Sequence, residues 1–176
     1  MTLRWKQAIS LGQIAAAMLV SLAVAFGDWP VFGLPRPPPA GDAERLALAL
    51  LWMLVPALCL LQGLGAASAY RLGRADAVDG QREGVGRLLE IVLRYNTNTL
   101  EQGFLALVAW CGLALTLPAD QLGLVPRLAL LFAAGRILFF WGYLIAPPLR
   151  VFGMGLTAYP TYGALLWLLW RAVQGA

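Results

Sequence analysis

The chain has 176 residues, of which 60% are hydrophobic and only 12% are charged, and its mean hydropathy is +0.72. Soluble domains average about 45–50% apolar and about 25% charged residues, so the composition predicts a polytopic membrane protein without room for a separate soluble domain. The net charge of +4 is small, and no basic stretch is interleaved with aromatic residues, which excludes a nucleic-acid partner.

The reactive residue types narrow the function further. The sequence contains no histidine, which excludes histidine-ligated haem, histidine-based di-iron chemistry and histidine acid–base catalysis. Cys59 and Cys111 lie within apolar runs, where free cysteines pack as small apolar side chains. Their spacing matches no metal motif, so no metal site is predicted.

The first apolar stretch, residues 8–26, follows a short segment that contains Arg4 and Lys6. It is long enough for one helix across the ~30 Å hydrocarbon core and longer than the ~7–15-residue core of a signal peptide, so we expect a retained span. Residues 27–41 contain five prolines and predict an extended linker. The chain is therefore divided into an N-terminal helix with its linker, 1–41, and a main membrane domain, 42–176.

Four further helices are predicted, because only helices and closed barrels satisfy the backbone polar groups in lipid. Their predicted boundaries are 46–70, 85–117, 127–146 and 156–173. Pro56 predicts a kink in the second span, and the polar segment 71–90 follows it. Pro147 and Pro148 end the fourth span, and residues 151–155 are predicted to form a connector.

Lysine and arginine are unevenly divided between the two ends of these helices. If the N-terminus is cytoplasmic, eight basic residues lie on that side and four on the other. The eight are Arg4, Lys6, Arg71, Arg74, Arg82, Arg87, Arg94 and Arg150, and the four are Arg36, Arg45, Arg127 and Arg171. Because cytoplasmic loops carry the excess of basic residues, the N-terminus is predicted to be cytoplasmic.

The stretch from Leu93 to Gln102, LRYNTNTLEQ, carries a polar pattern into the third helix. Arg94, Asn98 and Glu101 fall at i, i+4 and i+7, which places them on one helix face. Such groups are costly in lipid without partners, so they line a bundle interior or a water-filled site. We predict a polar pocket on this face, and the alternative is that these residues only anchor the helix end in the headgroup layer.

A second polar set begins within the fourth span. Arg136 lies inside it, Tyr143 follows at i+7 and Arg150 at i+14. An arginine near the middle of the bilayer costs at least about 2.5 kcal/mol on insertion scales, so Arg136 needs a partner, and Glu101 is the acidic residue predicted within a span. The alternatives are that Arg136 and Glu101 form a purely structural pair, that Arg150 is an arginine at the membrane interface, and that Tyr143 belongs to the aromatic belt.

Two motifs in this order resemble those of the MAPEG family (membrane-associated proteins in eicosanoid and glutathione metabolism). The motifs are Arg94-x3-Asn98-x2-Glu101 and Gly135-Arg136…Gly142-Tyr143…Arg150. They are similar to R-x3-N-x2-E and G-R…G-Y…R on the second and third helices of that family. The resemblance covers about residues 44–174 and implies a bacterial-type member. The implied fold is an all-α membrane bundle of four helices, here preceded by an additional N-terminal transmembrane helix.

The resemblance also implies a homotrimer in the bacterial inner membrane, with glutathione as co-substrate between neighbouring subunits near the cytoplasmic face. The implied glutathione-binding residues are Arg94, Asn98, Glu101, Tyr143 and Arg136, with Arg71 or Arg74 from the adjacent subunit. Arg150 is the implied catalytic residue, because an arginine beside a thiol stabilises the nucleophilic thiolate. Arginine suits the two carboxylates of glutathione, and Glu101 suits its ammonium.

Two positions depart from the family pattern. Phe139 stands where glutathione-using members often have tyrosine, and Gln102 follows Glu101 where an aromatic residue is common.

The implied function is a membrane-bound glutathione transferase or peroxidase that acts on lipophilic electrophiles. The alternatives are a non-catalytic lipid-binding protein on the same fold and a scaffold or transporter-like bundle whose buried charges are structural.

Overall fold

The structure is a computed structural model that describes residues 3–27, 38–73 and 86–175. Within these ranges the chain forms six α-helices and two short 3-10 helices, and it contains no strand. The α-helices are α1 (Leu3–Phe26), α2 (Asp42–Trp52), α3 (Leu54–Leu72), α4 (Arg87–Thr116), α5 (Leu124–Ile145) and α6 (Arg150–Val173). Most of the predicted linker and most of the predicted polar segment, Arg74 included, lie outside the described residues.

Four helical segments of the described chain are long and apolar enough to cross a membrane. They are Gln7–Phe26, Asp42–Leu72, Arg87–Thr116 and Ala119–Ile145. The prediction of an all-α membrane bundle with an additional N-terminal helix is therefore confirmed. The predicted fifth span is the 24-residue α6, which is interrupted by tyrosine, threonine and tryptophan and packs along α5 and α1.

The second span bends close to the predicted kink at Pro56. α2 ends at Trp52 and α3 begins at Leu54, with Met53 as a turn between them. Proline has no N–H, and its ring collides with the carbonyl group four residues earlier, which here belongs to Trp52. The break therefore falls just before the proline, and both halves of the span remain in contact with α4.

α5 and α6 are antiparallel neighbours that meet through glycines. A Cβ atom on Gly153 would collide with the backbone of Phe139, and one on Gly135 would lie 2.8 Å from the carbonyl oxygen of Gly153. Small residues allow membrane helices to approach this closely. The prediction of a connector at 151–155 is wrong for this reason, because its glycines serve helix packing and α6 already begins at Arg150.

α1 packs against α6 and α5 and runs parallel to α6. The Gln13 side-chain oxygen accepts a hydrogen bond from the Phe152 backbone N–H at 3.0 Å. Near the other end of α1, the Arg127 guanidinium donates to the Gly27 carbonyl oxygen at 3.3 Å. α1 and α6 therefore begin at the same end of the bundle.

The arginines divide between the two ends of the bundle. Arg45, near the start of α2, donates to the carbonyl oxygens of Ala114 at 3.3 Å and Leu117 at 2.8 Å, at the end of α4. Arg87, at the start of α4, donates to the Leu144 carbonyl oxygen at 3.1 Å, at the end of α5. The end of the bundle that carries Arg87 is called the arginine end. There α1, α4 and α6 begin, and α3 and α5 end.

Candidate functional site

The chain reversal between α5 and α6 places Arg150 on Tyr143. After α5 ends, the 3-10 helix Pro147–Leu149 turns the chain back, and Arg150 is the first residue of α6. The Arg150 guanidinium carbon lies 4.5 Å from the centroid of the Tyr143 ring, which is within the range of a cation–π interaction. These two predicted site residues therefore meet although they belong to different helices.

Arg94 approaches the same tyrosine from α4. Its guanidinium is an electrostatic neighbour of the Tyr143 hydroxyl and pairs with the Glu90 carboxylate at 2.7 Å. The side chains of Arg94 and Glu90 are 56% and 51% exposed, so this pair lies at the open edge of the cluster. Glu90 is absent from the predicted site, although its spacing of four residues from Arg94 is a usual signal of a helical ion pair.

Buried aromatic rings support Tyr143 from inside the bundle. The Phe139 ring lies edge-on to the Tyr143 ring, with 5.9 Å between the centroids. The Phe139 ring also lies 6.2 Å from that of Tyr95 on α4. Phe139 is 3% exposed, so its role in the described protomer is to pack beneath the site. Tyr143 is thus packed against Phe139 on its inner side, and its ring face lies towards Arg150.

Arg136 is 1% exposed and is held by neutral groups from two other helices. Its Nη1 donates to the Asn98 Oδ1 atom at 2.7 Å, and its Nη2 donates to the Thr157 Oγ1 atom at 2.5 Å. Its guanidinium carbon also lies 5.0 Å from the centroid of the Phe139 ring. The close glycine contact between α5 and α6 brings Thr157 within this reach. Thr157 is absent from the predicted site, and a lone threonine in an apolar helix offers no sequence signal for it.

Glu101 does not pair with Arg136, so the predicted Arg136–Glu101 pair is wrong. Within the described chain, Asn98 and Thr157 take both terminal amino groups of Arg136, while the Glu101 side chain is exposed. Glu101 stands in the middle of the 30-residue α4. An exposed carboxylate in the middle of a membrane-spanning helix is costly in lipid.

The remaining predicted residues lie near the arginine end. Arg71 occupies the last turn of α3 and is half-buried. The neighbouring Tyr70 packs against the cluster of Leu89 on α4, which places Arg71 at the same end as the start of α4. Arg74 lies outside the described residues. Gln102, which marks a departure from the family pattern, is buried, and its side-chain oxygen has no hydrogen-bond partner among the described residues.

The arginine end is suited to bind an anion. Arg94 and Arg150 converge on Tyr143, and Arg71 lies at the same end. Among the described side chains, Glu90 is the carboxylate that pairs with this group. Guanidinium groups bind carboxylates through paired hydrogen bonds and stabilise a neighbouring thiolate by charge.

A match to a known protein family covers most of the helical bundle. The family model described as "MAPEG family" matches residues 45–173, from the start of α2 to the end of α6. α1 lies outside the matched residues. No curated protein and no solved structure matches the chain significantly.

Proposed function

The chain belongs to the MAPEG family and is an integral, multi-pass membrane protein, and from this we propose that it is a glutathione-dependent transferase or peroxidase that acts on lipophilic electrophiles. The observation that carries the proposal is the convergence of Arg94 and Arg150 on Tyr143. Two cations from separate helices, one of them over the ring of Tyr143, form with that tyrosine a pre-arranged site for an anionic thiol.

The groups available at this end match the charges of glutathione. Arg94 and Arg71 bind the two carboxylates, with Arg74 as the alternative to Arg71, because guanidinium groups form bidentate pairs with carboxylates. Glu101, which lies about 10 Å further along α4 than Arg94, binds the ammonium. The Asn98 oxygen is already occupied by Arg136, so the Asn98 side-chain NH2 is the group that remains for the ligand.

Arg136 acts in this proposal by orienting the Asn98 amide. Its two terminal amino groups are occupied by Asn98 and Thr157, and it is 1% exposed. Its Nε atom is buried as well, so a ligand at the arginine end reaches Arg136 through Asn98 rather than directly. Arg136 is therefore a positioning residue, while Asn98 is the group that touches the peptide.

Arg150 stabilises the thiolate of the bound glutathione. In the transferase reaction, the thiolate sulfur forms a bond to an electrophilic carbon while the bond to the leaving group breaks. In the peroxidase reaction, it attacks a peroxide oxygen, and the O–O bond breaks to give an alcohol and a sulfenic acid, which a second glutathione reduces. Electrostatic stabilisation of this kind contributes about 100- to 1000-fold to a rate.

Assembly into a homotrimer would shield the Glu101 side chain, which is exposed in the single protomer, from lipid. The exposed side of α4 carries Glu101 together with Leu100, Phe104 and Val108, which are apolar and also exposed. Packing of neighbouring protomers on this side removes the carboxylate from lipid. In the proposed assembly, glutathione binds between subunits at the arginine end, which faces the cytoplasm of a bacterial inner membrane.

Titration of the purified protein with glutathione tests the proposal. We expect the ultraviolet absorbance of a thiolate to appear on binding and to be lost in Arg150→Ala. Arg171→Ala is the matched control, because Arg171 also stacks on an aromatic ring, that of Trp167 at 5.4 Å, but lies at the other end of α6. The proposal fails if no thiolate signal appears, or if both variants lose it equally.

A non-catalytic lipid-binding protein on the same fold is the second candidate. It is favoured by Phe139, which is buried beneath Tyr143 and offers no hydroxyl to a ligand. Native mass spectrometry of the purified protein at millimolar glutathione distinguishes the two candidates. Bound lipid without glutathione selects the second candidate, whereas bound glutathione selects the enzyme.

A further inference from the structure

A separate cavity lies inside the protomer, between α3, α4 and α5. Its volume is about 320 Å³ and its wall is mostly apolar, which is typical of small-molecule sites of about 300–1,000 Å³. The lining residues used below are Cys59, Gln62, Ala66, Tyr95, Arg136 and Trp141. Gln62, Ala66 and Trp141 are exposed, so the cavity opens on the outer surface of the bundle.

Arg136 supplies a buried positive charge to the wall of this cavity. It is 1% exposed, and its Nε atom is buried without a hydrogen-bond partner among the described residues. Asn98 and Thr157, which hold its other nitrogen atoms, are neutral. The acidic residues of the described chain are all exposed, and they are Asp42, Glu44, Glu90, Glu101 and Asp120. A buried cation without an anion is costly, so an anionic group in the cavity would stabilise it.

We propose that this cavity binds a single-chain fatty acid, with its carboxylate at Arg136 and its hydrocarbon chain along the apolar wall towards Trp141. The volume holds about ten water-sized groups, which corresponds to a medium-chain acid. The site goes beyond the proposed glutathione reaction, because it lies within one protomer and Asn98 is not among its lining residues. Membrane lipid is the natural source of such a ligand, since the mouth of the cavity is on the outer surface.

The two cysteines of the chain provide a direct readout. Cys59 lines the cavity and is 8% exposed, whereas Cys111 packs against the core at the other end of the bundle. A ligand in the cavity therefore shields the Cys59 thiol from a small alkylating reagent. The same ligand leaves Cys111 unchanged, so Cys111 serves as the internal standard.

The experiment uses the full-length protein in phosphatidylcholine nanodiscs with N-ethylmaleimide and added dodecanoate. We expect saturating dodecanoate, at ten times its dissociation constant, to slow Cys59 alkylation by about tenfold. Dodecanol has the same chain without the charge and should protect far less. Ala66→Phe fills the cavity and should abolish protection, whereas Ala69→Phe adds the same bulk to an exposed position of α3 outside the cavity and should retain it.

Each outcome bears on the proposal. Equal protection by acid and alcohol, persistent protection in Ala66→Phe, equal protection of both cysteines or no protection would each overturn it. If Cys59 does not react even without ligand, native mass spectrometry of bound dodecanoate replaces the alkylation rate. Loss of bound acid in Ala66→Phe but not in Ala69→Phe then supports the site, and equal binding in both variants rejects it.

Discussion

The side-chain oxygen of Gln13 accepts a hydrogen bond from the backbone N–H of Phe152, which joins α1 to the first turn of α6. The first N–H groups of a helix have no partner within the helix, so a side-chain acceptor there acts as a cap. Arg150 stands two residues before Phe152, at the start of the same turn. The additional N-terminal helix thus supports the element that carries the arginine stacked on Tyr143.

Replacement of Gln13 by leucine should destabilise the protein. It leaves the partly buried Phe152 N–H without this partner, which costs up to about 1–3 kcal/mol. Thermal unfolding in detergent measures this loss, and Gln7→Leu on the exposed side of α1 is the control. Equal melting temperatures for the two variants would show that the bond does not stabilise the start of α6.

Alanine at Gly153 should separate α5 from α6. Its Cβ atom would collide with the backbone of Phe139, and overpacking of this kind costs about 1–3 kcal/mol. Gly163→Ala on the same helix meets nothing within 4 Å, and alanine favours a helix over glycine by about 1 kcal/mol. Unfolding measurements should therefore move in opposite directions, and a shared direction would contradict the close glycine contact.

Valine at Thr157 should weaken the anchoring of Arg136. The change preserves shape but removes the oxygen that accepts from the Arg136 Nη2 atom, which leaves a buried charged donor unpaired at a cost of about 1–3 kcal/mol. Thr161→Val is the matched control, because among the described residues the Thr161 hydroxyl bonds only to the Thr157 backbone carbonyl oxygen. Unfolding of both variants should show the larger loss for Thr157→Val, and an equal loss would argue against a stabilising role for the arginine bond.

Glutamine at Glu90 should strengthen the binding of anions at the arginine end. The exposed Arg94–Glu90 pair adds little to folding, so stability should be nearly unchanged while the affinity for glutathione rises about two- to fivefold. Isothermal titration of glutathione checks the affinity. Glu44→Gln, at the opposite end of the bundle, removes the same charge and should have no effect. A lower affinity in Glu90→Gln would indicate that the carboxylate itself contacts the ligand.

Some local features could be predicted because their causes are local. Pro56 predicts the break after Trp52, since the clash of a proline ring reaches only four residues back. The end of α5 before Pro147 has the same origin. Residues 151–155 were mispredicted as a connector because glycine weakens a helix locally, whereas the contact of Gly153 with α5 is a property of two helices.

The hydrogen-bond partners of Arg136 could not be predicted from the sequence. Charge alone favours Glu101, yet Asn98 and Thr157 occupy the guanidinium. Asn98 is visible as a candidate from its spacing to Arg94, but Thr157 reaches Arg136 only through the packing of α6 on α5. The cavity beside Cys59 is equally invisible in the sequence, since three helices contribute to its wall.

The amino-acid sequence by itself determines that this protein is an all-α membrane bundle with polar groups at fixed positions, because apolar run length and backbone hydrogen bonding in lipid leave few other solutions. Only the tertiary structure decides which of those groups meet. The stacking of Arg150 on Tyr143 and the neutral cage around Arg136 depend on how closely α4, α5 and α6 approach one another, and that distance is set by side chains far apart in the chain.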